Sequence, residues 1–386
     1  MICYFVSKKV MISTGEPSGE LYGALLAREV KRKWPDTKIF GIGGPNMELE
    51  GIDLIAPISN VIGFTEALKH IAAIRKNLKT AKEALSNRRP DILVLIDYPD
   101  FNLALAKKAR YEGIPVLYYV SPQVWAWRKG RVKKIASLVN KIALLFPFEA
   151  DYYRDTGLPC EFVGHPLAEI INTSKTKDEL KQELGLLPDR PVITLLPGSR
   201  PAEIRRHLPV IKDIAAKINR DMPEFQIVIP LAQGTDISDK LMDYITILRG
   251  RTREAVASSE VCAVASGTAT LEAALLGIPM IVFYMVSPLT FLLGKLLIKV
   301  DYISLVNLLS GKKVVSELVQ KEATADNIFS EIRKILNDPV YRDTMTSSLN
   351  KIKDIVGGKR TSEKVASMVG DIAGWSDTDI GSKIKK

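Results

Sequence analysis

The sequence contains few cysteines and histidines and no long apolar run. Its three cysteines, Cys3, Cys160 and Cys262, are odd in number and far apart, so neither a disulfide framework nor a CxxC metal site is indicated and a reducing compartment is favoured. Residues 1–14 lack the features of a signal peptide, and there is no run of about 20 apolar residues that would span a membrane. A Walker motif, GxxxxGK[ST], is also missing, which argues against an ATP-binding P-loop.

The composition is that of a globular protein with a basic surface. Hydrophobic residues make up 46% and charged residues 25% of the 386 residues, which excludes a disordered or fibrous chain. Lys and Arg number 54 against 44 Asp and Glu, a net charge of +10. We expect about two domains from the length. The charge favours anionic partners: phosphates, nucleic acid or an acidic membrane.

The alternation of two kinds of segment predicts an α/β fold. Short runs rich in Val, Ile and Leu, typical of parallel strands covered on both faces, alternate with amphipathic helical segments. The expected strands are Val10–Ile12, Ile92–Ile96, Val116–Val120, Ile142–Phe146, Val192–Leu196, Gln226–Ile229, Val261–Ala265 and Met280–Phe283. The expected helices are Leu21–Trp34, Thr65–Leu85, Asn102–Tyr111 and Ala202–Ile218.

This rhythm breaks once, in a polar stretch near the middle of the chain. We therefore predict a first domain over residues 1–170, a linker over 171–190 and a second domain over 191–350, with a cleft between the two domains. Residues 351–386 are predicted to form a terminal helix or a tail, and whether it crosses back to the first domain is left open.

Two glycine-containing turns are expected in the first domain. The segment Gly15–Glu20 (GEPSGE) follows a strand and opens a helix, where glycine lets the backbone approach a ligand closely. Its two acids suit sugar hydroxyls or an ion pair better than a bare phosphate, and a simple capped turn is the alternative. A second turn, Gly41–Pro45, is not a full GxGxxG motif and is weak evidence for a dinucleotide.

A carboxylate is expected at the end of another first-domain strand. Residues 97–102 (DYPDFN) follow Ile92–Ile96, at the edge where open α/β sheets bind their ligands. Asp100 is the candidate general base for a bound hydroxyl. The alternatives are a helix cap made by Asp100 or Asn102, and an Asp-x-x-Asp metal site, which has no His or further acid nearby.

An aromatic and basic segment follows the next strand. Residues 121–128 (SPQVWAWR) carry two of the four tryptophans and lead into a run of basic residues. Aromatic rings beside cations suit sugar stacking, an anionic headgroup or single-stranded nucleic acid. A solvated basic helix with tryptophan in the core is the alternative. His165 lies at the predicted domain junction. A lone histidine there is more often a hydrogen-bonded turn residue than a catalyst, and we expect the former.

Two loops of the second domain predict a nucleotide site. In residues 195–201 (LLPGSRP) a strand ends and a helix begins with proline, which brings backbone N–H groups and Arg200 together against a phosphate. Residues 265–272 (ASGTATLE) repeat this strand–glycine–helix pattern. Glu272, in the first turns of that helix, is placed to accept hydrogen bonds from ribose hydroxyls.

Two apolar stripes are candidates for contact with acyl chains or a membrane. One is formed by Phe64, Leu68, Ile71, Ile74 and Leu78, with basic residues on its flanks, as on a membrane-surface helix. Packing of this stripe on the sheet is the alternative. The other is Leu289–Val300, which is too short to span a membrane and could also be core or a dimer contact.

From Met11 to Gln320 the sequence resembles bacterial lipid-A-disaccharide synthase in a series of segments: GEPSGE, IDYPDFN, YVSPQVWAWRKGRVKKI, FPFE, FVGHPL, LLPGSR, ASGTATLEA and DYISLVNLL. The resemblance implies a GT-B glycosyltransferase with two Rossmann-like domains facing a cleft, no cofactor and no required metal. The implied reaction is inverting: it joins UDP-2,3-diacylglucosamine to 2,3-diacylglucosamine 1-phosphate and releases UDP. One departure is Glu20, where the family has Asp.

The resemblance also implies which residues act. Asp100, Glu16 and Arg200 are the expected catalytic residues. The nucleotide is assigned to Gly198, Ser199, Arg200, Ser266, Gly267, Thr268, Glu272 and Asn307. The acceptor and its acyl chains are assigned to Ser18, Phe64, Leu68, Ile71, Trp125 and Arg128.

The expected setting is the cytoplasmic face of the bacterial inner membrane. There the protein is expected to bind an anionic membrane surface peripherally, and a homodimer is left open. No nucleic acid partner is expected, since no RRM, KH or helix-turn-helix pattern is present. The competing hypotheses are another enzyme on the same fold, such as a UDP-N-acetylglucosamine epimerase or a different lipid glycosyltransferase, and a nucleic-acid or membrane-binding module.

Overall fold

The chain forms two α/β units. The computed structural model describes residues 7–58, 64–122, 124, 130–171, 174–231, 235, 237, 242–287, 291, 301–358 and 360–375. Unit 1 consists of Met1–Glu169 and Val356–Lys386, and unit 2 is the continuous segment Ile170–Ile355. The chain therefore leaves unit 1 and returns to it at its C-terminal end. No helix among the described residues has the length and apolar character needed to cross a membrane.

Unit 1 is built on a sheet of seven strands in the order β3-β2-β1-β4-β5-β6-β7, with every strand pairing parallel. The strands are β1 (Lys9–Ser13), β2 (Lys38–Gly43), β3 (Asp53–Pro57), β4 (Ile92–Ile96), β5 (Val116–Tyr119), β6 (Lys141–Leu144) and β7 (Cys160–Phe162). The connecting helices are α1 (Pro17–Lys33), α2 (Pro45–Leu49), α3 (Phe64–Arg88), α4 (Pro99–Tyr111), α5 (Arg131–Ala136), α6 (Ala150–Tyr153) and α7 (Leu167–Ile170), with 3-10 turns at Pro147–Glu149 and Arg154–Thr156.

Unit 2 has a six-stranded parallel sheet in the order β10-β9-β8-β11-β12-β13. Its strands are β8 (Val192–Leu196), β9 (Gln226–Leu231), β10 (Ile245–Arg249), β11 (Val261–Ala265), β12 (Met280–Tyr284) and β13 (Ser316–Val319). Its helices are α8 (Lys177–Glu183), α9 (Pro201–Asp221), α10 (Thr252–Ala257), α11 (Thr268–Leu276), α12 (Leu305–Ser310), α13 (Ala325–Asn337) and α14 (Pro339–Ile355), with a 3-10 turn at Gln320–Glu322.

The last helix, α15 (Thr361–Ala373), completes unit 1. It packs on α1: a Cβ atom on Gly370 would lie 2.3 Å from Cη2 of Trp34, and the rings of Trp34 and Trp375 meet edge to face at 5.0 Å. Val365 and Val369 of this helix are fully buried. Helix α15 is thus part of the core of unit 1.

The expected α/β class with two Rossmann-like units is confirmed. Strands such as Ile92–Ile96 and Val261–Ala265 are buried along their whole length, as the continuous apolar runs indicated. The expected turn at Gly41–Pro45 is wrong, because Gly41 to Gly43 lie inside β2. A Cβ atom on Gly41 would lie 1.8 Å from the carbonyl oxygen of Ile12, so glycine there serves the close approach of two strands.

Both sheets reverse their strand order at one point, next to the first strand of each unit. In unit 1 the reversal lies between β1 and β4, and in unit 2 it lies between β8 and β11. The loops that leave neighbouring strands at such a point diverge and open a crevice beyond their carboxyl ends, where open α/β folds bind ligands. Four of the segments singled out in the sequence, GEPSGE, DYPDFN, LLPGSRP and ASGTATLE, lie at the carboxyl ends of these four strands.

Candidate active site

The loops after β1 and β4 interlock at the reversal point of unit 1. Gly15 is buried, and a Cβ atom there would lie 2.3 Å from Cγ of Tyr98. A Cβ atom on Gly19 would lie 3.1 Å from Oδ2 of Asp97. The glycines of GEPSGE therefore make room for the side chains of the neighbouring turn. Glu16, which precedes α1, and Ser18, in its first turn, are both half-buried here.

Glu20 has a structural role that the sequence did not reveal. Its side chain is buried and accepts hydrogen bonds from the backbone N–H of Asn46 at 2.5 Å and of Met47 at 3.2 Å, and from Nδ2 of Asn46 at 2.8 Å. A carboxylate that accepts from the first turn of a helix caps it and interacts favourably with its dipole. Glu20 thus fixes the start of α2.

The turn after β4 has an unusual backbone. Asp97 and Tyr98 have φ values of +54° and +49°, a left-handed conformation that non-glycine residues seldom adopt. The buried amide of Asn102 holds this turn: it donates to the carbonyls of Asp97 at 2.7 Å and Ile96 at 3.1 Å and accepts from the hydroxyl of Ser13 at 2.7 Å. Such strained conformations persist only where the surroundings impose them, often at functional sites.

Asp97 itself is a perturbed acid. Its side chain retains some accessible surface but is surrounded by protein atoms, and this burial, followed by the negative charge of Glu16, raises the pKa of Asp97 to about 8. Two carboxyl groups that face each other in a poorly solvated place do not both ionise readily. Sequence reasoning considered Asp97 only as the first acid of the Asp-x-x-Asp metal alternative, not as a perturbed acid.

Asp100 lies in the first turn of α4 with its side chain 80% exposed, and it forms an ion pair with Arg131, whose side chain is only 13% exposed. Tyr98, rather than Asp100 or Asn102, occupies the N-cap position of this helix, and its side chain makes no capping hydrogen bond, so the cap alternative gains no support. No cluster of three metal-ligating side chains exists among the described residues, which gives the Asp-x-x-Asp metal alternative no support.

The other candidates of unit 1 are less well defined. Trp125 and Arg128 lie outside the described residues, and so do the side chains of Phe64 and Leu68. Ile71 is half-buried, whereas Ile74 and Leu78 of the same stripe pack against the core of unit 1. The sheet-packing alternative is therefore correct for the C-terminal half of the stripe. Leu289–Val300 lies outside the described residues except for Phe291, which is 39% exposed.

His165 proves to be a packed turn residue, the favoured of its two interpretations. It is buried, its ring contacts those of Tyr22 and Phe146, and its Nδ1 accepts a hydrogen bond from the backbone N–H of Leu167 at 3.2 Å. Burial lowers the pKa of His165 to about 3. The ring is therefore neutral at physiological pH.

In unit 2 the loop after β8 presents Gly198, Ser199 and Arg200. Gly198 has φ +112°, which an L-residue rarely adopts, and Ser199 is exposed. Arg200 is the N-cap residue of α9, Pro201 begins the helix, and Nη1 of Arg200 lies 2.8 Å from Oε1 of Glu203. The long helix α9 directs its free N–H groups toward this loop.

The loop after β11 has the same construction. Gly267 precedes α11 with φ +148° and ψ −163°, a region open only to glycine, and it is exposed. Thr268 begins the helix, and the hydroxyl of Ser266 donates to the carbonyl of Ile303 at 3.1 Å. Since β8 and β11 are parallel neighbours, this loop and the Gly198 loop leave the same edge of the sheet.

Two further nucleotide candidates lie deeper in unit 2. Glu272 lies 3.8 Å from Nε of Arg253, and burial raises its pKa. Asn307 is fully buried. Its Nδ2 donates to Val315 and Glu317, and its Oδ1 accepts from the N–H groups of Val314 and Val315. Its amide thus has no donor or acceptor left for a nucleotide.

Sequence reasoning missed Glu203 and His207, which contact the Gly198 loop from α9. The Arg–x–x–Glu spacing of Arg200 and Glu203, which allows an i,i+3 ion pair, was the available signal.

Comparison with known proteins identifies relatives with similar sequences and solved structures with a similar fold. A family model described as lipid-A-disaccharide synthetase matches residues 10–367. A lipid-A-disaccharide synthase of Geobacter metallireducens is 43% identical over 376 residues, which cover 95% of this chain and 98% of that protein. The synthase of Myxococcus xanthus is 39% identical over 369 residues, covering 94% of this chain and 96% of that protein.

Solved structures with a similar fold include a co-structure of the S. aureus protein MnaA with UDP, with a TM-score of 0.68, 11% identity and coverage of 96% of this chain and 98% of that one. The UDP-GlcNAc 2-epimerase of Neisseria meningitidis, bound to UDP-GlcNAc, aligns with a TM-score of 0.65 and 15% identity over 94% of this chain and 100% of that one. At these identities the likeness concerns the fold alone.

Proposed function

The chain belongs to the lipid-A-disaccharide synthetase family, and we propose that it transfers the sugar of UDP-2,3-diacylglucosamine to 2,3-diacylglucosamine 1-phosphate and releases UDP. It is a glycosyltransferase of lipid A disaccharide synthesis. The observation that carries this proposal is the family match over residues 10–367, which includes all four loops at the two reversal points.

Unit 2 is the proposed binding site of the UDP moiety. Ser199, Ser266 and Thr268 offer hydroxyl groups, Gly198 and Gly267 let the backbone come close, and the N-termini of α9 and α11 attract negative charge. Arg200 adds a full positive charge. These donors stabilise the charge that grows on UDP as the sugar departs, which is usually a large part of catalysis.

Unit 1 supplies the proposed general base. Asp100 is exposed to an incoming acceptor, and its ion pair with Arg131 holds the carboxylate in place. It takes the proton of the acceptor's 6′-hydroxyl while that oxygen attacks the anomeric carbon and UDP leaves with the bonding electrons. A single displacement of this kind inverts the configuration.

The remaining candidate site residues are given supporting roles in this proposal. The Nδ2 of Asn307 donates to Glu317, and its Oδ1 accepts from the backbone N–H groups of Val314 and Val315. Glu317 in turn accepts from the backbone N–H of Ser304, so we assign to Asn307 the support of the segment beside Ser304. Glu272 faces Arg253, and its contact with a ribose is proposed for the bound state. Glu16 acts through its charge on Asp97, and Ser18 is assigned to the acceptor side.

The proposed location is the cytoplasmic face of the inner membrane, where the protein binds peripherally. The support is the net charge of +10 and a substrate pair that is lipid on one side and phosphate on the other. That the protein forms a homodimer is a separate proposal, and measurement of its molecular mass in solution tests it.

The decisive experiment incubates the purified chain with both acylated glucosamine substrates. We expect UDP release together with a tetra-acylated disaccharide phosphate, identified by mass spectrometry. An epimerase would instead convert UDP-N-acetylglucosamine without an acceptor, so the same protein is assayed with that nucleotide sugar alone. Release of UDP without the disaccharide, or epimerisation, contradicts the proposal.

A further inference from the structure

One face of α9 is occupied by two side chains that neither act on substrate in the proposal above nor belong to the general core. Glu203 and His207 are four residues apart and so project from the same side of the helix. The Glu203 side chain is 13% exposed and His207 is fully buried. Both reach the carboxyl edge of the unit 2 sheet, where the Gly198 loop lies.

Glu203 connects three parts of this edge. Its Oε1 accepts hydrogen bonds from Nη1 of Arg200 at 2.8 Å and from the hydroxyl of Tyr284, at the end of β12, at 3.0 Å. Its carboxylate also lies against the backbone of Gly198, since a Cβ atom there would be 2.9 Å from Oε2. One carboxylate thus touches the loop, the arginine that the loop carries, and the neighbouring strand.

His207 connects the same two segments through the backbone. Its Nδ1 lies 2.6 Å from the carbonyl oxygen of Pro197, and its Nε2 lies 3.1 Å from the backbone nitrogen of Met285. A carbonyl only accepts and an N–H only donates, so Nδ1 carries the proton and Nε2 is bare. This is a neutral ring in a single tautomer. It also packs edge to face on Phe283 at 5.2 Å.

We propose that Glu203 and His207 are positioning residues for the nucleoside diphosphate, because together they fix the Pro197–Arg200 loop to the end of β12 and hold the Arg200 guanidinium in one orientation. The inference rests on the proposed function, in which this loop binds UDP. An arginine that is already oriented loses less side-chain freedom when it meets a diphosphate, and this raises affinity. The carboxylate of Glu203 also repels phosphate. Its removal would therefore strengthen UDP binding if repulsion dominated, and it weakens UDP binding if the positioning of Arg200 dominates.

The first test measures UDP binding to the full chain by titration calorimetry. Glu203→Ala is expected to raise the dissociation constant at least tenfold, and Glu203→Gln, which keeps an acceptor oxygen, by less. The double variant Glu203→Ala/Arg200→Ala is expected to bind within twofold of Arg200→Ala, because Glu203 acts through Arg200. Independent, multiplying effects or tighter binding by Glu203→Ala would overturn the inference.

The structure offers a matched control in the same unit. At the start of α10, Arg251 is the N-cap residue and its Nε lies 2.8 Å from Oε1 of Glu254, the same i,i+3 arrangement as Arg200 and Glu203. Glu254→Ala is expected to lower the melting temperature as Glu203→Ala does but to leave UDP binding within twofold. Equal losses of UDP binding in both variants would reduce Glu203 to a general helix-stabilising residue and overturn the inference.

His207 is tested through steady-state kinetics. His207→Leu removes both hydrogen bonds and is expected to raise KM for the UDP-sugar at least fivefold and to lower kcat as well, because Arg200 also stabilises the departing UDP. His207→Gln is expected to recover part of the loss. A fall in kcat alone would contradict a positioning role. If the wild-type chain does not bind UDP, the proposed function fails; if it binds and all these variants bind alike, only this inference fails.

Discussion

At the scale of single residues, the loop after β4 separates two acids that the sequence places three positions apart. Asp97 is enclosed next to Glu16, which raises its pKa to about 8, whereas Asp100 projects into solvent and pairs with Arg131. The strained backbone at Asp97 and Tyr98, held by Asn102, produces this division. Asp100 is therefore the acid that an acceptor can reach without rearrangement of the protein.

Asp100→Asn is predicted to abolish most turnover and leave the fold intact. General acid–base catalysis contributes about 10²–10⁴-fold, so kcat should fall by roughly that factor, measured as UDP released in the presence of both substrates. The melting temperature should not change, because the side chain is 80% exposed.

Asp151→Asn is the control for this variant. Asp151 is 63% exposed and forms an ion pair with Arg154 in the same unit, so its loss removes a comparable surface pair away from the loop. Wild-type turnover by Asp100→Asn, or equal losses in both variants, would remove Asp100 as the base.

The burial of His165 predicts a loss of stability in mild acid. Its pKa falls from an ordinary value near 6.5 to about 3 in the folded protein. In mild acid the unfolded chain therefore binds a proton at this ring, whereas the folded chain does not. The stabilisation is complete above about pH 6.5 and is lost as the pH falls. Between pH 7 and 5 the free energy of unfolding should decrease by about 2 kcal/mol from this group.

Denaturant unfolding across this pH range measures the effect. His165→Gln cannot titrate, so its free energy of unfolding should fall less steeply with acid than that of the wild type, whatever its absolute stability. Parallel slopes for the two proteins would show that His165 does not carry the acid sensitivity.

The sequence indicated where reactive residues lie but not what surrounds them. The position of Asp100 and Arg200 after strands follows from local pattern, because a strand followed by a glycine or proline turn is visible in the chain. The partners of Glu20 and Asn307 are not visible there, because folding brings together Glu20 and Asn46, which are 26 positions apart, and Asn307 and Glu317, which are 10 positions apart. Asn307 was therefore expected to contact the nucleotide, whereas its amide supports the backbone of residues 314–315.

At the scale of elements, the predictable strands are those buried on both faces. Val192–Leu196 and Val261–Ala265 match β8 and β11 residue for residue, since a continuous apolar run has no other stable use in an α/β sheet. The partly exposed edge strands β3, β7, β10 and β13 were missed, because their mixed composition resembles a loop. The buried strand β2 was missed as well, because its glycines predicted a turn. Edge strands thus carry the weakest local signal.

The loop before α11 predicts a strict requirement for glycine. Gly267→Ala is expected to weaken UDP binding, because φ +148° with ψ −163° is closed to alanine and the loop must change its path. The strain is about 1–3 kcal/mol, so UDP affinity should fall by roughly tenfold or more in titration calorimetry. No atom lies within 4 Å of the missing Cβ, so a simple clash does not explain a loss.

Gly185→Ala is the matched control for the loop variant. Gly185 also has a positive φ, +70°, and open space around its missing Cβ, but it follows α8, away from the loops of the reversal point. It should lower the melting temperature without changing UDP binding. Normal UDP binding by Gly267→Ala would exclude this loop from the nucleotide site.

The contact between α1 and α15 predicts a second glycine requirement of a different kind. Gly370→Val should destabilise unit 1, because the new side chain would overlap the ring of Trp34, which is buried and already packed on Trp375. Overpacking costs about 1–3 kcal/mol, and valine gives little helix propensity in return. The measurement is thermal unfolding followed by tryptophan fluorescence.

Gly358→Ala serves as the control, because no atom lies within 4 Å of its missing Cβ and its φ is not positive. This variant should unfold like the wild type. If Gly370→Val also unfolds like the wild type, α15 does not pack on α1 as described.

At the scale of the whole molecule, the two units do not follow one another along the chain, because the C-terminal helix returns to the first unit. Unit 1 contains both ends of the chain, whereas unit 2 is one continuous stretch. The strand and helix rhythm indicates two α/β units but not which unit receives the last helix. That choice depends on Trp34 and Gly370, whose contact spans more than three hundred positions and leaves no mark on local periodicity.

The net charge of +10 belongs to the whole molecule and predicts how it meets a membrane. Ile74 and Leu78 pack in the core of unit 1, so the full apolar stripe of α3 cannot insert into a membrane and attraction to anionic lipid should dominate.

Such attraction is screened by salt, with a Debye length near 10 Å at about 0.1 M and about 3 Å at 1 M. The protein should therefore float with anionic vesicles at low salt and be released at high salt, while zwitterionic vesicles leave it behind. Reversing the charge of the exposed residues Lys133 and Lys134 should lower the salt concentration needed for release, and flotation that resists salt would show that apolar insertion, not charge, holds the protein to lipid.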